Sequence, residues 1–174
     1  MITLNADDFN SISQESYERL IGRVQYIRLA CACGHSGCLS PHGSYTRSIK
    51  TDHKTIRIRI RRVICSICGH THALIPSCIV PYSAVMLSDQ AEIIGKYESG
   101  ESFVHVLEEN NAIDENNAYS ILRSYRRHWK ERLRSLHISI NNTLMELVEA
   151  CVSVYRRAFM QIKKTPCILY TVPT

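Results

Sequence analysis

No apolar run in this 174-residue sequence approaches the ~20 residues that a helix needs to span a bilayer, so no membrane-embedded segment and no membrane partner are expected. The opening stretch, MITLNADDFNSISQESYERL, is polar and acidic and lacks the basic-then-apolar order of a secretory leader. With no export signal, eight cysteines read as metal ligands and buried thiols rather than as four disulfides, which points to the reducing cytoplasm. There is also no internal repeat and no low-complexity tract. The basic strand segments in the first half of the chain lack the interleaved aromatics that stack on unpaired bases, so RNA is the less expected partner.

What is present is organised around Cys31 to Cys68. Cys65-Ser-Ile-Cys68-Gly69 has the form of a zinc knuckle, in which the glycine lets the chain turn back so that amides face the thiolates. Upstream, CACGHSGC offers Cys33 and Cys38, with Gly34 after the first and Gly37 before the second. Cys33, Cys38, Cys65 and Cys68 are therefore the expected ligands of a Zn2+ ion in a closed tetrahedral site. Cys31 and His35 stand as alternatives for the first pair, Cys31 otherwise ending a strand as a small apolar residue. His70 and His72 are expected at the surface or as donors to the sulfurs. Cys78, Cys151 and Cys167 sit among apolar neighbours and read as buried free thiols.

Charge is distributed in blocks. Residues 43 to 65 carry seven Lys or Arg against one Asp, and residues 86 to 117 carry eight acids against Lys96. Residues 118 to 134 then carry six basic residues against Glu131. Basic blocks separated by an acidic one suggest an oriented polyanionic partner, most simply double-stranded DNA. In Thr55 to Ile64, Ile56, Ile58 and Ile60 alternate with Arg57, Arg59 and Arg61, the period-two pattern of a strand with one buried face. Its arginine face would form a positive stripe about 13 Å long at ~3.3 Å per residue, able with Arg47 to follow a phosphate backbone.

The expected architecture is α+β: a small antiparallel zinc ribbon followed by an all-α helix-turn-helix bundle and a long C-terminal helix. Its boundaries fall at 1–23 (loose tail and short helix), 24–82 (ribbon), 83–136 (helix-turn-helix) and 137–174 (C-terminal helix and docked tail). Within the ribbon, Val24 to Ala30 and Ser44 to Lys50 are expected as strands, with Thr51 to Lys54 as a hairpin tip. Pro76 and Pro81 then end regular structure. Beyond them the apolar period lengthens to about 3.6. Ser88, Ser102 and Asp114 are expected to cap three helices, the third running on through Trp129 with its apolar stripe continuing to Leu136. Helix-turn-helix geometry places the leading residues of the last helix at base edges, which nominates Asn116, Asn117, Ser120 and Arg123, with Arg127 on phosphate. Residues 138 to 164 are expected as one further amphipathic helix, and Cys167 to Tyr170 as a docked terminal strand.

Gly43, Tyr45, Arg47, Arg62, Cys65, Cys68 and Gly69 form a pattern (HGxYxR, a basic strand, RRxxCxxCG) within the stretch 42 to 82. That stretch resembles an uncharacterised bacterial zinc-ribbon and helix-turn-helix family, itself similar to the N-terminal DNA-binding region of insertion-sequence transposases. The resemblance extends over about residues 31 to 135. It implies sequence-specific DNA binding, as a regulator or accessory of a mobile element, with a second copy or a mobile-element protein as a further partner. The sequence departs from that pattern in having CACGHSGC where C-P-x-C is usual. Transposases that cut DNA need three carboxylates around two metal ions. Beyond residue 135 only Glu146 and Glu149 remain, so the chain is read as a binding protein and not an enzyme. The competing reading is a protein-interaction adaptor or self-associating module with a structural zinc site.

Overall fold

The computed structural model describes residues 1–5, 11–50, 54–109, 113–161 and 168–173. It is a mixed α+β fold. Five strands form one sheet, and six α-helices are seen among the described residues. The strands are β1 (Ile2–Leu4), β2 (Leu39–Lys50), β3 (Thr55–Cys65), β4 (Thr71–Pro76) and β5 (Ile168–Tyr170). The helices are α1 (Gln14–Gly22), α2 (Leu87–Glu98), α3 (Phe103–Glu109), α4 (Glu115–His128), α5 (Lys130–Ser135) and α6 (Leu144–Tyr155). The sheet order is β2-β3-β4-β1-β5, with antiparallel pairing from β2 through β4 and parallel pairing on both sides of β1.

The β2–β3 hairpin follows the alternation in the sequence. Ile58 and Ile60 are fully buried, Ile56 is partly buried, and Arg57, Arg59 and Arg61 face outward. Its register slips between Pro41 and Ser44, where Gly43 takes a φ of +71° that a side chain would resist. Only Arg62 to Ile64 of β3 pair with β4, which leaves the earlier part of that edge without a strand partner. Helix α1 occupies it instead. The Arg59 amide donates to Gln14 Oε1 at 2.7 Å, and the Arg61 amide donates to Tyr17 Oη at 2.8 Å. Tyr17 Oη donates in turn to the Leu74 carbonyl at 3.0 Å, so one phenol bridges the edges of β3 and β4.

Several expectations need correction. Residues 2 to 4 are not a loose tail: β1 lies between β4 and β5, with Ile2 and Leu4 fully buried. Buried Thr3 donates to Gln161 Oε1 at 2.6 Å, and the Gln161 amide donates to the carbonyls of Ser77 and Ile79. The expected strand at Val24 to Ala30 is a 3₁₀ turn at Tyr26–Arg28, whose flanking Val24 and Leu29 both point inward across the turn. Regular structure resumes after the second knuckle as β4, with Pro76 its last residue opposite Leu4.

The third helix expected in the second half is interrupted. Helix α4 ends at His128, Trp129 leaves helical geometry (φ −122°), and α5 begins at Lys130. Trp129 is fully buried, edge-on to Tyr155 and Phe159, so the interruption lets one large ring turn into the core while Tyr125 and Leu133 stay inward. The expected long C-terminal helix is the 12-residue α6. Thr143 and Glu146 cap it reciprocally, and Arg156, in the left-handed conformation (φ +53°), ends it. Met145 and Val154 are about half exposed, whereas Met160 is buried in the following turn. Residues 51–53 of the expected hairpin tip, residues 110–112, residues 162–164 of the expected last helix, and Cys167 of the expected terminal strand lie outside the described residues.

Candidate metal centre and basic helix face

The two cysteine turns share one backbone design. In the first, the Cys31 amide donates to the His35 carbonyl at 2.8 Å and the Gly34 amide to the Cys31 carbonyl at 3.0 Å. In the second, Cys65 donates to the His70 carbonyl at 3.0 Å and Gly69 to the Cys65 carbonyl at 2.9 Å. Gly34 and Gly69, at φ +91° and +72°, supply the left-handed residue that each turn requires. The turns face each other because β2 and β3 begin and end beside them, with Leu39 opposite Cys65.

Together they assemble four sulfurs. The Sγ atoms of Cys31, Cys33, Cys65 and Cys68 all lie within 4.8 Å of one another, with Cys31–Cys68 at 3.5 Å and Cys33–Cys65 at 3.8 Å. A tetrahedron of thiolates at ~2.3 Å from a central ion has edges of ~3.8 Å, so the spacing fits a four-thiolate metal site. Cys33, Cys65 and Cys68 meet as expected, but Cys31 completes the set. Cys38, the expected fourth ligand, lies to one side: its sulfur is 3.4 Å from Cys65 Sγ and 3.4 Å from the His35 carbonyl. The cause is local, since Cys31 and Cys33 straddle the tight turn while Cys38 already belongs to the run into β2.

A signal for this assignment was present in the sequence. The tripeptide Cys-Gly-His occurs twice, at 33–35 and 68–70, which aligns Cys31/Cys33 with Cys65/Cys68 and leaves Cys38 outside. Each repeated histidine returns to its own cysteine, with His35 Nδ1 3.5 Å from Cys33 Sγ and His70 Nδ1 3.3 Å from Cys68 Sγ. Buried His72 approaches Cys31 Sγ through Nε2 at 3.2 Å. The electrostatics favour ionisation at one cysteine of each turn. Amides of Cys68 and Ile67 hold the Cys65 thiol down to about 6, and the His35 amide and ring lower that of Cys33. Burial pushes the Cys31 thiol up to about 12. Cys78 and Cys151 are buried, outside this cluster and in no disulfide among the described residues.

The expected DNA-contacting arginines divide into two groups. Arg47 turns inward, its Nη2 donating to the carbonyls of Val80 and Ser83, both at 2.6 Å. Arg59 Nε donates to Ser44 Oγ at 2.8 Å, and Arg61 Nη2 meets Glu18 at 3.2 Å. Arg57 is exposed and has no partner among the described residues. On α4, Ala118, Ile121, Leu122 and Tyr125 are buried while Asn116, Ser120, Arg123 and Arg127 are exposed. Asn117 is tied to the helix cap, its amide donating to Asp114 Oδ1 at 3.0 Å. Lys50 at the end of β2 pairs with the same Asp114 at 2.9 Å, joining the hairpin to the start of α4. That partner holds the Asp114 carboxyl down to about 2.

Sheet, helices and sulfur cluster define a mixed α+β chain with a four-cysteine site fit for a metal. Residues 30–115 match the model of a domain of unknown function, DUF6431, a span that begins one residue before Cys31 and reaches the first residue of α4. No curated protein and no solved structure matches the chain. Among the described residues, no helix is long and apolar enough to cross a membrane.

Proposed function

We propose that the chain is a sequence-specific duplex-DNA-binding protein of the cytoplasm. In this reading a zinc ribbon supports a helix-turn-helix, related to the DNA-binding regions of insertion-sequence transposases, and acts as regulator or accessory of a mobile element. The observation that supports it best is the outer face of α4. There Asn116, Ser120, Arg123 and Arg127 are exposed together, and after Glu115 the helix carries no acid. With α2 and α3 before it, α4 takes the place of a recognition helix: leading polar residues toward base edges, later arginines toward phosphates. Arg57 on β3 would add a backbone contact.

Cys31, Cys33, Cys65 and Cys68 would hold Zn2+, whose contribution is to cross-link the two turns. Four thiolates leave no position for an activated water, which favours a structural role and a binding protein over an enzyme. Fluorescence anisotropy with a duplex oligonucleotide at 50 and 200 mM salt tests this reading. Three to five phosphate contacts should lower affinity about 40- to 500-fold between those concentrations. Absent or salt-independent binding would refute it.

One observation favours the adaptor reading. Ile27 is 74% exposed beside the first cysteine turn and Ile67 58% exposed within the second, so each turn presents one apolar side chain that a protein partner could cover. In that case association would be weakened by Ile67→Lys and would be nearly indifferent to salt.

A further inference from the structure

A cleft of about 740 Å³ opens along the flank of α3 and α4, lined by Tyr97, Phe103, Tyr119, Arg123, Arg126 and Arg127. Its aromatic end is a pair of rings. Phe103 lies against Tyr119 with centroids 4.3 Å apart and planes tilted by 35°, yet Tyr119 remains 55% exposed. One side of Tyr119 is therefore backed by a neighbour while more than half of the residue still meets solvent. Arg123 follows Tyr119 by one turn of α4 and Arg126 by two, so guanidinium groups succeed the ring along one helix face.

Arg126 is held in place. Its guanidinium carbon lies 4.6 Å from the centroid of Tyr97, and its Nη2 donates to the Tyr97 hydroxyl. Arg123 and Arg127 have no partner among the described residues, and no carboxylate lines the cleft. An exposed aromatic surface beside three cations, one of them pre-oriented, calls for a ligand with a flat ring at one end and an anion at the other.

We propose that this cleft binds a nucleotide, its base stacked on Tyr119 and its phosphate held by Arg123, Arg126 and Arg127. The site shares Arg123 and Arg127 with the duplex reading but depends on two aromatic residues that the duplex reading does not require. The nucleotide comes either free or as an unpaired position in a single strand, and the chemistry is the same in both.

Titration calorimetry of the full zinc-loaded chain tests it, with AMP, adenosine, ribose 5-phosphate and the single strand (dA)6 as probes. AMP is expected to bind saturably. Adenosine and ribose 5-phosphate, each lacking one half of the ligand, should bind at least tenfold more weakly. Tyr119→Ala should weaken AMP about tenfold, the low-to-middle range for loss of one base stack. Because Tyr119 is more than half exposed, circular dichroism should not move with that substitution, and loss of the Phe103 contact should lower Tm by no more than a few degrees. Arg126→Gln should weaken AMP and ribose 5-phosphate but leave adenosine unchanged. Tighter binding of (dA)6 than of AMP assigns the site to a single strand, and the reverse order to a free nucleotide.

No saturable AMP binding, equal affinity for all three small probes, or an unaltered Tyr119→Ala overturns the proposal. A protein that binds AMP but no duplex retains the cleft and loses the duplex reading, and one that binds duplex but not AMP does the opposite.

Discussion

The hairpin and helix α4 carry arginine at similar density, but they use it differently. On β2 and β3, the side chains of Arg47, Arg59 and Arg61 bond to groups of their own chain, while those of Arg57 and Arg62 have no such partner among the described residues. On α4, Arg126 lies over Tyr97, while Arg123 and Arg127 face solvent with no partner among the described residues. Basic residues counted in a sequence measure charge. The folded chain decides which of them remains available to a polyanion. Much of the hairpin's apparent stripe serves to fasten β3 to α1 and β2 to the Val80–Ser83 segment, whereas the arginines of α4 at 123 and 127 stay unengaged among the described residues.

The sharpest break of this contrast comes from the sulfur cluster, which a bound metal would turn into a cross-link between the two turns at the base of the hairpin. Apparent metal-binding energies of structural zinc sites are ~10–16 kcal/mol, comparable to or larger than the whole stability of a typical domain at ~5–15 kcal/mol. Cys65→Ser and Cys31→Ser should each lose the bound metal and the ordered hairpin, read by metal analysis and amide exchange over β2 and β3. Cys38→Ser should retain a full equivalent of zinc. Metal retained in Cys31→Ser and lost in Cys38→Ser would return the fourth position to Cys38.

A smaller effect separates the arginines. Arg47→Ala removes the guanidinium donor from the Ser83 carbonyl and from the Val80 carbonyl, which keeps only the Ser83 amide, and this should cost about 1–3 kcal/mol of unfolding free energy. It should leave the salt slope of duplex binding almost unchanged. Arg123→Ala and Arg127→Ala should do the reverse, each lowering that slope by about 0.9 with stability nearly intact. If Arg47→Ala flattened the slope as much as Arg127→Ala, the two surfaces would not differ in the way their contacts suggest.

How much of this was legible in the sequence depends on the range over which each feature is written. The Ile/Arg alternation of β3 is local and reads directly, as does the cap at Asp114, whereas the cap expected at Ser88 falls at Met86, whose side chain makes no capping bond. The sulfur site was half legible. Cys65 and Cys68 are plain from spacing, but Cys31 required noticing the repeated Cys-Gly-His rather than the wider gap to Cys38. Strand β1 was not legible, because three residues cannot display a period and its burial depends on β4 and β5, remote in sequence. The inward turn of Arg47 was hidden for the same reason, since its acceptors lie 33 and 36 residues away. The break at Trp129 is a tertiary decision: the apolar stripe is continuous, but the indole needs Phe159 and Tyr155 to pack against.

The smallest expected effect concerns the ion pair that joins the two regions. Asp114 caps α4 and meets Lys50 from β2, and its carboxyl is held at about 2 against an ordinary value near 3.8. A carboxyl whose folded pKa is depressed stabilises the fold above its unfolded pKa, and that contribution is lost as pH falls through the folded value. The difference in Tm between wild type and Lys50→Met should therefore be constant from neutral pH down to about 5 and shrink below about 4. Both groups are substantially exposed, so 1 M salt at neutral pH should remove most of the difference. Acid also strips metal from thiolates, which makes the salt comparison at neutral pH the cleaner arm. A loss in Lys50→Met that salt leaves untouched would mean that Lys50 acts by packing and that the hairpin and α4 are joined by something other than this charge pair.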